Sequence, residues 1–303
     1  MSRRRRLDAE LLRRGLVDSR VQAREAVEAG LVTVDGAPAM KTARQVGPEQ
    51  AIVLAGPPRT YVSRGGDKLA HALETFGVEV QGRVCLDAGA STGGFTDCLL
   101  QYGAQRVVAV DVGYGQLHDR LRRDARVVVL ERTNVRELSP ADLDGPPADL
   151  VVADLSFISL ASVLPTLRDL AAPGAEALVL VKPQFEAGRE QVGKGGVVRD
   201  PSVWRTCLAR VAEAGTAVGW RLHGATASPL LGPAGNVEFL LHLAAEDDVT
   251  DTPGAVLDAA VEEGRARRAG RGPAGVEEPR AAPGDATDGP AGDRHPFDEG
   301  AAR

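Results

Sequence analysis

The sequence predicts an α/β protein built on a doubly wound sheet, with a small separate domain in front of it and a tail behind it. From residue 84 onward, short apolar runs alternate with segments of helical spacing, a pattern typical of a parallel sheet with helices on both faces. Seven runs have strand character, at residues 84–87, 107–111, 127–130, 149–154, 177–182, 220–226 and 237–243.

The turn after the first strand carries the strongest local signal. Residues 83–100 read RVCLDAGASTGGFTDCLL, an apolar strand ending at Asp87, six small residues, and a helix opening near Phe95. Small residues let backbone N–H groups approach a ligand at the positive end of a helix. The spacing D-x-G-x-x-x-G-G differs from the dinucleotide motif G-x-G-x-x-G, because Ser91 stands at its second glycine, and no GK[ST] of a P-loop is present.

This turn suits S-adenosylmethionine, because a carboxylate at the strand end can face the ammonium group of the cofactor. An ordinary buried strand–turn–helix would also fit the pattern. Asp111, twenty-four residues after Asp87, ends the next strand and is placed to bind a ribose, and Asn134 is placed near an adenine. The expected cofactor-binding residues are Asp87, Gly89, Ala90, Ser91, Gly93, Gly94, Phe95, Asp111, Asn134 and Asp154.

Charge is unevenly distributed along the 303 residues, although the net charge is only −6. Residues 1–64 contain twelve Lys and Arg against seven Asp and Glu, whereas residues 245–303 contain seven against fourteen. The basic N-terminal part indicates an anionic partner. Three widely separated cysteines without a C-x-x-C motif argue for a reducing compartment and against disulfides or a zinc site. We therefore expect no bound metal.

The N-terminal residues MSRRRRLDAELLRRG form a positive cluster without the apolar run of a secretory signal. The longest apolar stretches are far too short to span a bilayer. These features predict a cytoplasmic protein that has no membrane partner.

Composition divides the chain into four parts. Residues 1–58 contain two short basic helices and a hairpin marked by Asp35-Gly36, residues 59–64 are a linker, residues 65–245 hold the sheet, and residues 246–303 are an acidic tail expected to be disordered. A basic helical face is often simply exposed to solvent, but here both helices and the N-terminal arginine run carry positive charge. The expected RNA-binding residues are Arg4, Arg6, Arg14, Arg20 and Arg24.

Four further residues carry candidate chemistry. Asp154 and Lys182 each end an apolar strand, Glu238 opens the last strand, and Lys68 begins the helix before the first strand. Taken singly, each could be a turn or surface residue. A lysine that closes a fully apolar strand before Pro183 would be partly desolvated, which favours the neutral amine and suits proton abstraction.

The order K…D…K…E around D-x-G-x-x-x-G-G resembles the FtsJ-type ribose 2′-O-methyltransferases. Residues 6–36 also resemble the RNA-binding fold named after ribosomal protein S-four. Residues 3–243 are similar as a whole to the TlyA family of rRNA methyltransferases, historically also labelled haemolysins. The matching blocks are SRGGDKL, LDAGASTGGFTDCLL, VVAVDVGYGQL, VVVLERTNVREL, DLVVADLSFISL, LVLVKPQFE, VGKGGVVRD and SPLLGPAGNVEFLL.

The resemblance implies a Rossmann-like class I methyltransferase sheet and methylation of cytidine ribose in ribosomal RNA of the small or large subunit. It implies S-adenosylmethionine as cofactor, ribosomal RNA or ribosomal subunits as partner, and Lys68, Asp154, Lys182 and Glu238 as catalytic residues. Two other classes remain as alternatives. A pore-forming haemolysin would need a membrane-inserting segment and an export signal, and neither is visible. A purely RNA-binding scaffold would not need both lysines and both carboxylates.

Overall fold

The computed structural model describes residues 4–14, 16–17, 20–55, 60–232, 234–245 and 253–270. The chain begins with a small module whose core is formed by Leu7 and Leu11 of one helix, Ala23 and Val27 of the next, and the strand residue Val34. Asp35 and Gly36 have φ of 53° and 80°, as the tight hairpin predicted there requires. The module consists of β1 (Arg5–Arg6), α1 (Leu7–Arg13), α2 (Arg20–Glu28), β2 (Val32–Val34), β3 (Ala37–Pro38), β4 (Gln45–Val46) and β5 (Ile52–Leu54).

A seven-stranded sheet forms the second part of the fold, and it contains all seven predicted strands. They are β6 (Val84–Ala88), β7 (Arg106–Val110), β8 (Val127–Leu130), β9 (Ala148–Ala153), β10 (Ala171–Val181), β11 (Arg221–Ala227) and β12 (Phe239–Ala244). Their order across the sheet is β11-β12-β10-β9-β6-β7-β8. The expectation of a wholly parallel sheet is wrong at one strand, because β12 is antiparallel to both β10 and β11. The described residues between β11 and β12, 228–232 and 234–238, form no crossover helix, which a parallel pairing would need.

Helices cover both faces of the sheet, so a central strand such as β6 is buried on two sides. Along β6, Cys85 packs into the core beneath one set of helices, whereas Leu86 packs into the core on the opposite face. The helices are α3 (Gly65–Phe76), α4 (Gly94–Gln101), α5 (Asp119–Arg122), α6 (Leu164–Asp169), α7 (Pro183–Glu186), α8 (Pro201–Ala217) and α9 (Pro253–Arg268).

The strand order reverses beside β6, and this reversal determines where a ligand can bind. After β6 the chain moves outward through β7 and β8, then returns to place β9 on the other side of β6. In open α/β sheets, such a switch point leaves a crevice at the carboxyl ends of the strands. The glycine turn after β6 and Asp154 after β9 lie at this crevice, where the Asp154 N–H donates to Ala88 O at 3.0 Å.

The segment expected to be a linker is partly built into the sheet domain. Tyr61 and Val62 are buried in the core beneath α3 and α4. The Val62 N–H donates to Asp97 Oδ2 at 2.8 Å, which fixes the chain against α4. Tyr61 and Val62 thus pack as part of the sheet domain.

The expected disordered tail also requires correction, because residues 253–268 of it form α9. Leu257, Ala260 and Val261 are buried against the sheet domain. Glu263 Oε2 accepts hydrogen bonds from Thr226 Oγ1 at 2.7 Å and from the Ala227 N–H at 2.9 Å, which ties α9 to the outermost strand. The rest of the expected tail, residues 246–252 and 271–303, lies outside the described residues.

Candidate active site

The glycine turn after β6 is packed so closely that two of its glycines cannot carry a side chain. A Cβ at Gly89, whose φ is 91°, would lie 2.6 Å from Asp154 O. A Cβ at Gly94 would lie 2.2 Å from Ser63 Oγ and 2.9 Å from the Gly66 nitrogen. The small residues thus allow β9 and the start of α3 to approach the turn, and they leave its backbone bare toward the crevice.

Two carboxylates shape this turn from different sides. Asp87 is fully buried and accepts from Thr96 Oγ1 at 2.6 Å, while its Oδ1 has no hydrogen-bond partner among the described residues. Burial raises the pKa of Asp87 to about 7. Asp111 accepts from the Ser91 N–H at 2.8 Å and from the Gly113 N–H at 2.6 Å, so it holds the turn after β6 to the loop after β7.

Four predicted catalytic side chains meet at the crevice as two ion pairs. Lys68 Nζ lies 2.5 Å from Glu238 Oε2, and Lys182 Nζ lies 2.6 Å from Asp154 Oδ1. Lys182 also donates to Ser156 Oγ at 2.9 Å. Lys68 and Glu238 are 170 residues apart in the chain, and the sheet brings them together.

The two pairs differ in burial. Lys68 and Glu238 are 7% and 1% exposed. Burial opposes the charge of Lys68, but the Glu238 and Asp154 carboxylates outweigh it and raise the pKa of Lys68 above its ordinary value. Lys68 is therefore a fixed positive charge, whereas the partner of Lys182, Asp154, has a side chain that is 22% exposed at the crevice.

A cavity of about 520 Å³ joins the glycine turn to both ion pairs. Nine of the predicted site residues line it: Lys68, Gly89, Ala90, Ser91, Gly94, Phe95, Asp154, Lys182 and Glu238. A single cavity thus presents bare backbone, two lysines and two carboxylates, an arrangement that can hold a cofactor beside a nucleophile to be activated.

Comparison with known proteins identifies this arrangement. The sequence profile of FtsJ-like methyltransferases matches residues 61–245, and that of the S4 domain matches residues 5–52. The chain belongs to the FtsJ-like methyltransferase family. The predicted resemblance is thereby confirmed, and the FtsJ-like domain begins where Tyr61 enters the core.

Individual relatives place the chain more closely. It is 56% identical over 249 residues to the 16S/23S rRNA (cytidine-2'-O)-methyltransferase TlyA of Mycobacterium tuberculosis, covering 82% of this chain and 92% of that protein. It is 38% identical over 237 residues to Hemolysin A of Brachyspira hyodysenteriae, covering 78% of this chain and 98% of that protein. A solved structure named as a hemolysin from Streptococcus thermophilus superposes with a TM-score of 0.71 at 39% identity, covering 88% and 97% of the two chains.

Relatives of this chain thus carry two different names, methyltransferase and hemolysin. In the part of the chain that the structure describes, no helix combines the length and apolarity needed to cross a membrane.

Some predicted residues of the FtsJ-like domain lie outside the cavity lining. Gly93 has φ of 99° and packs on Leu117 and Leu121. Asn134 caps the short turn Val135–Glu137, accepting from the Arg136 N–H at 3.2 Å and donating to Glu137 at 3.0 Å. Asp87 supports the turn from beneath, and Asp111 holds it from the side.

The five arginines predicted to bind RNA differ in their surroundings. Arg4, Arg6, Arg20 and Arg24 are exposed. Arg14 is instead built into the S4 domain, because it donates to Glu10, Gln50 O and Pro48 O at 2.8–3.0 Å. This arginine joins α1 to the loop before β5, so its guanidinium is committed to the fold.

Sequence reasoning missed several cavity residues. Phe157 is 89% exposed with φ of 65°, and its ring lies 5.1 Å from that of Phe185. Ser156, Gly195, Gly196 and Asn236 also line the cavity. An aromatic residue three positions after Asp154 was the available signal for Phe157, and Ser156 directly precedes it. Gly195, Gly196 and Asn236 belong to the blocks VGKGGVVRD and GNVE, whose pattern alone does not reveal a role.

Proposed function

We propose that the protein transfers a methyl group from S-adenosylmethionine to the ribose 2′-hydroxyl of cytidine in ribosomal RNA. The observation that carries the proposal is the pair of lysine–carboxylate contacts beside a bare glycine turn in one cavity. The cytidine and ribosomal specificity rests on the 56% identical relative from Mycobacterium tuberculosis, whose name states that activity.

The residues of the turn fit S-adenosylmethionine. The cradle at Gly89 and Gly94 has no room for a Cβ, so backbone can lie against the amino-acid end of the cofactor. Asp87 would support this cradle from beneath the turn, through the hydrogen bond that it accepts from Thr96 Oγ1. Asp111 would accept from the ribose hydroxyls. When bound, the cofactor supplies an electrophilic methyl group on a sulfonium.

Lys182 would act directly on the target hydroxyl. A ribose hydroxyl is a weak nucleophile near neutral pH and needs a positioned base. The neutral amine of Lys182 would accept the hydroxyl proton as the oxygen attacks, and Asp154 at 2.6 Å would stabilise the ammonium that forms. Ser156 Oγ, at 2.9 Å, would hold the lysine in the direction of the substrate.

Lys68 would have a different task. Its charge is retained, because Glu238 and Asp154 outweigh the effect of burial on its pKa. A fixed ammonium in a largely buried site stabilises an oxyanion more than it would in water. Lys68 would therefore orient the hydroxyl and stabilise its developing negative charge, while Glu238 holds Lys68 in place.

The exposed Phe157 would receive the base of the target nucleotide. RNA bases that are turned out of a helix are commonly stacked on aromatic side chains. Phe157 and Phe185 stand together at the cavity, beside Lys182, whose Nζ lies 6.0 Å from the centre of the Phe185 ring. Stacking there would hold the attached ribose beside the two ion pairs.

The S4 domain would supply general affinity for RNA through its exposed arginines Arg4, Arg6, Arg20 and Arg24. Such contacts to phosphates are independent of sequence and weaken with salt. A ribosomal substrate would be met in the cytoplasm, which is the localisation that we propose.

The decisive experiment is methyl incorporation into unmodified ribosomal subunits, followed by mapping of the modified nucleotide. We expect transfer to the 2′-oxygen of a cytidine, in RNA of the small or large subunit. Methylation on a base, or on a ribose other than that of cytidine, would contradict the proposed substrate. Membrane lysis without any transfer would favour the haemolysin alternative.

Cofactor binding gives a separate prediction. Asp111→Ala should weaken binding of S-adenosylmethionine roughly ten- to hundredfold, because the change removes a charged acceptor and frees the Ser91 and Gly113 N–H groups. Calorimetry with the purified variant measures this loss. Asp144→Ala is the matched control, since that carboxylate side chain is 95% exposed. Heat of binding with NAD but none with S-adenosylmethionine would refute the assignment.

A further inference from the structure

A glycine-rich loop closes one side of the catalytic cavity. Residues 193–198, called here the GKGG loop, read GKGGVV, and Gly195 and Gly196 line the cavity. The loop folds back on itself, since the Gly193 N–H donates to Val197 O at 3.2 Å and the Gly196 N–H donates to Gly193 O at 3.0 Å. Gly195 and Gly196 have φ of 82° and 75°, a conformation that a side chain would strain. The backbone is thus bare where it faces the cavity.

A buried amide holds this loop in position. Asn236 is 2% exposed, and both ends of its side chain bind the loop. Its Oδ1 accepts from the Val198 N–H at 2.9 Å, and its Nδ2 donates to Gly196 O at 2.8 Å. A glycine-rich segment is costly to order, so these bonds determine where the loop lies. Asn236 also stands two residues before Glu238, which links the loop to the catalytic strand.

The tip of the loop carries a positive charge. Lys194 is exposed, and across residues 4–270, as far as they are described, no ion pair joins it. The nearest acidic residues along the chain are Glu190 and Asp200, both exposed. Asp200 Oδ1 accepts from the Ser202 N–H at 2.8 Å as the cap of α8, so this carboxylate is engaged elsewhere. Lys194 therefore projects a charge beside the cavity, and no counterion for it lies among the residues that the structure describes.

We propose that the GKGG loop binds a backbone phosphate of the RNA strand next to the target nucleotide, with Lys194 supplying the charge and Asn236 as a positioning residue. This inference rests on the proposed function. A nucleotide whose ribose reaches Lys182 keeps its two flanking phosphates, and these are too polar and too bulky to follow it inward. They must lie at the rim, where the loop presents Lys194 and bare glycine backbone. Lysine binds phosphate as a point charge without reading sequence.

The test uses the full chain and unmethylated ribosomal subunits. Lys194→Ala should weaken subunit binding roughly tenfold at low salt, as expected for loss of one charged contact. The slope of log affinity against log salt should fall by about 0.7, which corresponds to one phosphate on single-stranded RNA. Binding of S-adenosylmethionine should stay at the wild-type value. Arg221→Ala is the control, because Arg221 begins β11 and lies level with Glu176, several residues before the carboxyl end of β10 that the GKGG loop follows.

Asn236→Asp supplies the second variant. The carboxylate can still accept from Val198 but cannot donate to Gly196 O, so the loop should lose its position. Its loss of subunit affinity should not add to that of Lys194→Ala in the double variant, since both changes remove one contact. Additive losses would overturn the positioning role of Asn236.

A Lys194→Ala variant with wild-type affinity and wild-type salt slope would overturn the phosphate site. That result, together with wild-type methylation of a cytidine ribose, would leave the proposed function intact. Failure of the wild-type protein to methylate any subunit would instead remove the proposed function itself.

Discussion

Lys182→Ala should lower single-turnover methylation of ribosomal subunits by roughly 10²–10⁴-fold, the usual contribution of a positioned general base. The change removes the amine that would face the target hydroxyl under the proposed function, but none of the glycine-turn contacts. Binding of cofactor and of subunits should therefore remain close to wild type. Lys182→Arg should fail almost as severely, because a guanidinium stays protonated and cannot accept the proton.

Lys182 is the better first target of the two lysines. Its partner Asp154 keeps a side chain that is 22% exposed, so the carboxylate stays partly hydrated after the change. Lys68→Ala would instead leave Glu238, which is 1% exposed, as a buried charge without a partner. Leaving that charge unpaired lowers the free energy of unfolding by about 3–5 kcal/mol. A loss of activity in this variant would then not separate an unfolding effect from a catalytic one. Near-normal turnover by Lys182→Ala would remove this lysine from the mechanism.

The strands were predictable from sequence because a doubly covered sheet demands continuous apolar runs. Residues 149–154 and 177–182 read as strands on that ground, and β9 and β10 contain nearly all of them. The direction of β12 was not predictable in the same way, because strand direction depends on the connection. The sequence of residues 228–238 has no helical pattern, whereas a parallel β12 would need a crossover helix in this stretch.

Some contacts of the site could be predicted from the sheet topology, and others only from the family resemblance. Asp154 and Lys182 end apolar strands, so their meeting at one sheet edge follows from topology. The contact between Lys68 and Glu238 spans 170 residues and came only through the family resemblance. Asn134 was predicted near an adenine because it follows the strand at 127–130, and the structure shows that its amide also caps a local turn. Local hydrogen bonds of this kind leave no signal in periodicity.

Arg14 shows why charge alone is a weak guide to RNA contacts. It belongs to a basic helix, as the exposed Arg13 does, but its guanidinium binds backbone carbonyls of the loop before β5. Which arginines are free depends on tertiary packing. The sign of the N-terminal charge was informative, whereas the individual residues needed the structure.

The helix α9 was missed because its stabilisation is tertiary. Its buried face uses Leu257, Ala260 and Val261, with Gly264 lying against the sheet, and this is a weak apolar pattern in an Ala- and Gly-rich segment. A Cβ at Gly264 would lie 2.9 Å from Phe239 and Val237, so the glycine allows close packing of helix on strand. Short helices are marginal without such packing.

A chain that ends after Ala245 should therefore be clearly less stable than one that ends after Gly270. Removing α9 takes away the burial of Leu257 and Val261. Burial of two such side chains contributes at most about 3–6 kcal/mol to the free energy of unfolding. Removing α9 also leaves the Ala227 N–H at the outermost strand without Glu263. The shorter chain should unfold about 10 °C lower by calorimetry.

Gly264→Val in the full chain should have a similar but smaller effect, because its side chain would press on Phe239. Ending the chain after Gly270 is the control and should leave the transition unchanged. Equal melting of the two shortened chains would show that α9 contributes nothing to the fold.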